Sequence, residues 1–171
     1  ITEKNFLGKG INLTTNLEIS EDKITGQFVY SKPNFAYTDN TVFTSIKSTT
    51  ADNLNDFGYE TKTTGFGLGT EFEQYENLFF RPEIDLTLED LETNSKASKA
   101  LKKQQGSYED LYFKYSLNYD LRDSKYRPTS GSRTAFFQEL PIASGNNELI
   151  NALVYSKYKK LSQASEAVGK A

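Results

Sequence analysis

Glu83, Asp85 and Glu89 fall at alternate positions of one short segment, and carboxylates grouped in this way are the residue type for general-acid chemistry or for a hard, oxygen-ligated cation. The rest of the chain supplies no companions for either role. Among its 171 residues there is no histidine and no cysteine, which removes imidazole bases and ligands, thiolate nucleophiles, thiolate metal sites and disulfides together. The acids also alternate with Ile84, Leu86 and Leu88. Side chains point to opposite faces along a β-strand, so the three carboxylates and Thr87 share one wet face and the aliphatic residues the other. We read the row as a hydrated wall and expect no enzymatic activity, no cofactor and no metal.

The element that sets the frame is the segment from Leu111 to Leu121. Leu111, Phe113, Tyr115, Leu117, Tyr119 and Leu121 are apolar or aromatic, while Lys114, Ser116, Asn118 and Asp120 between them, and Arg122 just beyond, are polar. That alternation predicts a strand of about eleven residues; soluble strands usually run to roughly five or six, whereas a tilted strand that crosses a bilayer needs about this length. Hydrophobic content is 36% and mean hydropathy is −0.63. No apolar run approaches the roughly twenty residues of a membrane helix. A barrel survives this test, because its lumen-facing residues dilute the average. The 11 Tyr and 12 Phe suit interfacial girdles, and they equally suit a soluble β-sandwich. A net charge of −3 argues against a nucleic-acid surface. The basic cluster of Lys96, Lys99, Lys102 and Lys103 reads as a solvated helix within a loop. With Ile1 first, no methionine and no signal-type segment, the sequence reads as a piece of something longer.

Eight strand-like segments are expected: 10–21, 23–31, 41–50, 59–72, 78–92, 111–121, 132–140 and 148–161. The third carries Val42, Thr44 and Ile46 on one face, with Phe43 as an apolar exception on the polar side. In the fourth, Phe66, Leu68 and Phe72 oppose Gly65, Gly67 and Gly69, which leaves the inner face bare and suggests a bend or the close approach of another backbone. Turns are expected at 21–23, 73–77 and 141–147, and the longest loop, 93–107, has helix-forming composition in its middle. The pattern therefore predicts an all-β protein: an antiparallel transmembrane β-barrel fragment of about eight meander strands in a curved open sheet. A soluble antiparallel sandwich or barrel remains the alternative.

Three turn motifs carry a family resemblance. Asn5-Phe6-Leu7-Gly8-Lys9-Gly10 resembles the N-(F/W)-L-G-x-G turn that follows the second barrel strand of BamA-type outer-membrane assembly factors. Ser31-Lys32-Pro33-Asn34-Phe35 resembles the turn after the fourth. Asp120-Leu121-Arg122-Asp123, with Tyr126-Arg127-Pro128-Thr129-Ser130-Gly131-Ser132-Arg133, resembles the turn after the eighth. In the third motif Pro128 fixes φ, Gly131 permits positive φ, and Thr129, Ser130 and Ser132 are placed to cap local amides. These residues are read as setting strand register.

The superfamily also includes TamA and the two-partner secretion transporters. The resemblance implies a barrel of roughly sixteen strands preceded by POTRA domains, with residues 1–171 as a partial barrel domain holding strands three to ten. The first two strands, which help form a lateral gate in the family, and the C-terminal half would lie outside the chain. The implied location is the bacterial outer membrane, and the implied partners are outer-membrane lipids, unfolded outer-membrane protein clients and assembly-machinery lipoproteins, with no nucleic acid. The implied function is folding and insertion of β-barrel proteins. A transporter of the same superfamily, a passive porin and a soluble β-protein are the other readings.

Overall fold

The computed structural model describes residues 1–145 and 148–160, together with the backbone of 168–170. The described residues form a ten-stranded antiparallel meander in which each strand pairs with the next in sequence. Its strands are β1 (Thr2–Glu3), β2 (Asn12–Ile19), β3 (Lys23–Lys32), β4 (Thr41–Asn53), β5 (Tyr59–Tyr75), β6 (Leu78–Thr93), β7 (Gly106–Asp120), β8 (Gly131–Ala143), β9 (Ile150–Lys160) and β10 (Val168–Lys170). One short helix, α1 (Lys99–Lys103), sits in the longest loop, capped by the Ser98 side chain, which accepts from the Leu101 amide at 3.2 Å. The edge strands β1 and β10 do not pair with each other, so the sheet is open.

The eight expected segments correspond to β2 through β9, with differences at their ends. β5 runs on to Tyr75 through a bulge between Glu73 and Tyr75, and β4 to Asn53. β7 begins at Gly106, five residues before the apolar alternation starts. β8 passes through Pro141 to Ala143, where a register shift between Leu111 and Tyr112 accommodates it. Backbone pairing does not depend on side-chain polarity, so strands outlast their apolar pattern. Proline is tolerated beside a bulge because the missing N–H interrupts an already irregular ladder. Asn146, Asn147 and Leu161 of the expected turn and final strand lie outside the described residues.

Register turns the alternation into continuous rows. Phe28, Ile46, Phe66, Leu86 and Leu111 stand opposite one another across five strands. One step along, the row is Gln27, Lys47, Gly65, Thr87 and Asp110. A trough on this polar face is lined from Lys23 on β3 to Lys114 on β7, so the polar face is the concave one.

The apolar rows are not covered. Among the described residues only Ile11, Phe43, Leu91 and Ala97 are buried apolar side chains, while Leu17 (68%), Leu68 (62%) and Leu153 (70%) stand in the open. A soluble sandwich would bury such a face against a second layer. Here the apolar surface points away from the concave wall on strands of up to 17 residues, the arrangement of a sheet whose outer solvent is hydrocarbon.

Candidate functional site: the inner wall and its turns

The strand that carries the three acids places them on the concave face, where a cation pairs with Asp85. Lys114 on β7 stands opposite Glu83 and reaches Asp85 at 2.8 Å and Glu139 on β8 at 3.4 Å. With side chains only 14–24% exposed, this is a sheltered cross-strand charge row. Neither Lys114 nor Glu139 was singled out by the sequence reading, although both fall on the wet face of their strands. Glu83 has a different environment: its carboxylate lies over Gly67, in space that a Cβ would fill. No group of three or more carboxylates among the described residues is arranged to hold a metal.

The glycine row has a side-chain explanation. A Cβ at Gly67 would strike Glu83 and Ser45, and one at Gly69 would strike the ring of Phe43 as well as the Pro82 carbonyl at 2.6 Å. Close approach is therefore by side chains at Gly67 and by a side chain together with the β6 backbone at Gly69, while Gly65 has nothing nearer than 4.0 Å. Phe43, the exception to its strand's pattern, is 3% exposed, and the Arg81 guanidinium lies 3.7 Å from its ring centroid. Glycine on β5 makes the pocket, phenylalanine from β4 fills it, and arginine from β6 closes it.

Adjacent strands run in opposite directions, so the turns after β1, β3, β5 and β7 share one end of the sheet. The first two are built alike. Asn5 and Asn34 adopt the left-handed region (φ 59° and 51°), Leu7 and Ala36 repeat it (53° and 54°), and Gly8 and Tyr37 follow (70° and 64°). The Phe6 amide donates to the Ile11 carbonyl at 2.7 Å, and the Phe35 amide to Asn40 at 2.9 Å. Asparagine tolerates positive φ better than most residues. In the first turn the Asn5 side chain also accepts from the Gly10 amide at 2.6 Å, with Gly10 itself at φ 66°. Pro33 precedes the second turn at the end of β3.

The third motif is the most cross-linked. Arg122 donates to both oxygens of Asp120, from Nε at 2.7 Å and Nη2 at 2.6 Å. That pairing raises the guanidinium's pKa. Asp123 accepts from the Thr129 hydroxyl and from the amides of Thr129 (2.9 Å) and Ser130 (3.2 Å). The Thr129 hydroxyl first, and the two amides after it, hold its carboxyl well below the usual range, at about 2. The capping is thus done by Asp123, aided by Ser124 on the Arg127 amide at 3.3 Å, and not by Thr129, Ser130 and Ser132 as expected. Ser132 contributes its carbonyl to the Leu121 amide at 2.8 Å. Gly131 has φ 95°, and a Cβ there would collide with the Leu121 carbonyl and the Arg122 Cα. Arg133 donates from Nε to Asn118 at 2.7 Å. Pro128 is half-buried, and Tyr126 is 90% exposed. The three motifs are not brought together; each closes its own hairpin along the same edge.

An open meander with a polar concave wall, uncovered apolar rows on the other face and tight turns at one end defines a segment of a transmembrane β-barrel. No helix among the described residues is long and apolar enough to cross a membrane, so any crossing is by strands. A family model for the Omp85 superfamily domain matches residues 5–171. The chain belongs to that superfamily and is an outer-membrane protein. Comparison with curated proteins finds no match. Among solved structures it is similar to BamA from Haemophilus ducreyi lacking POTRA domains 1–3, with a TM-score of 0.76 and 22% identity over 95% of this chain. The chain spans 34% of that protein's length, and at this identity the likeness speaks for the fold.

Proposed function

We propose that residues 1–171 form the N-terminal part of the barrel of an outer-membrane protein assembly factor, a wall segment of a machine that folds and inserts other β-barrels. The observation that carries this reading is the superfamily match over residues 5–171 in a chain whose fold resembles a BamA barrel. Physical reasoning supplies the mechanism. A nascent strand cannot enter hydrocarbon with its backbone unpaired, since each orphan group costs several kcal/mol. An assembly factor answers this with a strand edge or a weakened bilayer, and no covalent bond is made or broken. The segment described here would supply the fixed wall against which moving parts work. Its turn residues, from Asn5 and Gly10 through Asn34 to Asp123 and Gly131, would lock register. Its partners would be outer-membrane lipids, unfolded clients and assembly lipoproteins.

The test is reconstitution of the full-length parent into lipid vesicles, followed by addition of a urea-unfolded outer-membrane protein. Heat-modifiable gel mobility reads the folded client. Client folding at least tenfold faster than in protein-free vesicles supports assembly. No acceleration, together with passage of one dedicated polypeptide across the vesicle wall, reassigns the parent to secretion.

A further inference from the structure

Where β7 gives way to its turn, the concave wall carries a second cleft. Its cations are Arg81, Arg122, Lys125 and Arg133, and its carboxylates are Glu71 and Asp120. The two carboxylates differ in availability. Asp120 is committed to Arg122 through both oxygens, in a pair whose side chains are only 20% and 10% exposed. Glu71 meets Arg81 at 3.5 Å, the outer limit of a hydrogen bond, with both side chains more than 40% exposed.

The remaining cations have donors to spare. Arg133 uses Nε on Asn118, and its terminal nitrogens have no partner among the described residues; neither does the Lys125 ammonium. Arg81 is held by its face against Phe43, which leaves the in-plane donors of the guanidinium, apart from the Nη1 that faces Glu71 at 3.5 Å, open to a ligand. Four cations thus face two carboxylates, of which Asp120 is taken up by Arg122 and Glu71 meets Arg81 only at 3.5 Å, so the cleft keeps an excess of positive charge.

We propose that this cleft docks an acidic polypeptide segment, with Arg81 and Arg133 each taking a carboxylate and Lys125 closing the mouth. Guanidinium forks match carboxylates bidentately. The cleft lies on the polar face, whereas a bilayer meets the opposite face through Phe28, Phe66 and Leu86. Leaflet headgroups are therefore not its neighbours. Arg81 on β6 is in register with Ser116 of β7 and Arg133 on β8 with Asp120, so the two are two strand spacings across and four residues along, about 16 Å at the backbone. Carboxylates five residues apart on an extended chain, at about 3.3 Å per residue, span the same distance, and a single phosphate does not. The site stands whether the parent assembles or secretes.

The test uses the full-length parent in nanodiscs and a fluorescein-labelled hexapeptide carrying two glutamates five residues apart, at its first and last positions. Its glutamine counterpart is the control, and fluorescence anisotropy is read at low salt. The glutamate peptide is expected to bind about 10-fold tighter, and the Arg81→Gln/Arg133→Gln double variant to lose about that factor, as fits charge-assisted hydrogen bonds. Arg133→Glu is expected to shift preference toward a lysine peptide. Retained heat-modifiable mobility shows that each variant is folded; should the double variant not fold, the exposed Lys125→Glu carries the same comparison. Equal binding of both peptides, or wild-type affinity in the folded variants, overturns the proposal. So does inorganic phosphate displacing the peptide more effectively than unlabelled peptide does, which assigns the cleft to a phosphate ligand.

Discussion

At Gly131 two constraints coincide, a left-handed φ of 95° and a backbone wall formed by Leu121 and Arg122. Gly131→Ala is expected to cost the barrel about 2–3 kcal/mol, seen as a lower temperature for loss of heat-modifiable mobility. Gly26→Ala is the internal control. It has open space around it and no positive φ, so a change beyond about 0.5 kcal/mol there would undo the comparison. Asp123 yields a pH prediction. Its carboxyl is depressed in the folded turn, to about 2. The turn's stabilisation is therefore fully present above the unfolded carboxylate range near pH 4, and is lost as pH falls toward 2. Amide hydrogen exchange at Thr129 and Ser130 should accelerate within that window in the wild type, while Asp123→Asn should exchange faster already at neutral pH. The sequence showed that this turn was special from Pro128 and Gly131. It did not show which side chain does the capping, because Asp, Ser and Thr at neighbouring positions are all competent and only the fold chooses between them.

On the scale of elements, the β4–β5–β6 packing of Phe43, Gly69 and Arg81 makes a coupled unit. Phe43→Ala is expected to cost about 3 kcal/mol or more, since it empties a filled notch and frees the guanidinium. Gly69→Ala is expected to cost about 1–3 kcal/mol by overpacking against that ring. In the Phe43→Ala background the glycine substitution should be milder by at least about 0.5 kcal/mol, a non-additivity that a double-mutant cycle on thermal stability reads directly. Equal cost in both backgrounds would mean that the ring and the glycine do not share space. Strand existence was legible from two-residue alternation, and for β4 to β7 so was the face each strand gives to water; in β8 and β9 the alternation is weaker and assigned no face. Phe43 was legible only as an anomaly. Its partner glycine sits on the next strand, and cross-strand partnership depends on register, which one strand's pattern does not contain. The strand ends were misjudged for a related reason, as β7 starts at Gly106 and its first five residues pair with β6 without an apolar alternation.

For the whole molecule, the open sheet has two unpaired edges and an uncovered apolar face. The isolated 171-residue chain is expected to aggregate in plain buffer and to disperse when detergent covers that face, with light scattering as the measurement. A monodisperse monomer without detergent would mean that the sheet closes or finds another cover. Membership of the Omp85 superfamily accounts for the open edges without any defect in folding, since the strands of this chain are a part of a larger wall.

The rows that cross the sheet also bear on how such a chain can change over time. Each strand's apolar residues reach lipid only while its count of residues keeps step with both neighbours. One residue inserted into β6 would turn Ile84, Leu86 and Leu88 toward the lumen beyond that point and push Lys114's partner Asp85 into hydrocarbon. Single-residue insertions and deletions are therefore confined to the loops, or to places already bulged such as the one beside Pro141. Point replacements have far more room. A lineage of such walls can drift far in spelling while its strand lengths stay fixed, which is how a chain 22% identical to another barrel keeps the same trace over 95% of its length.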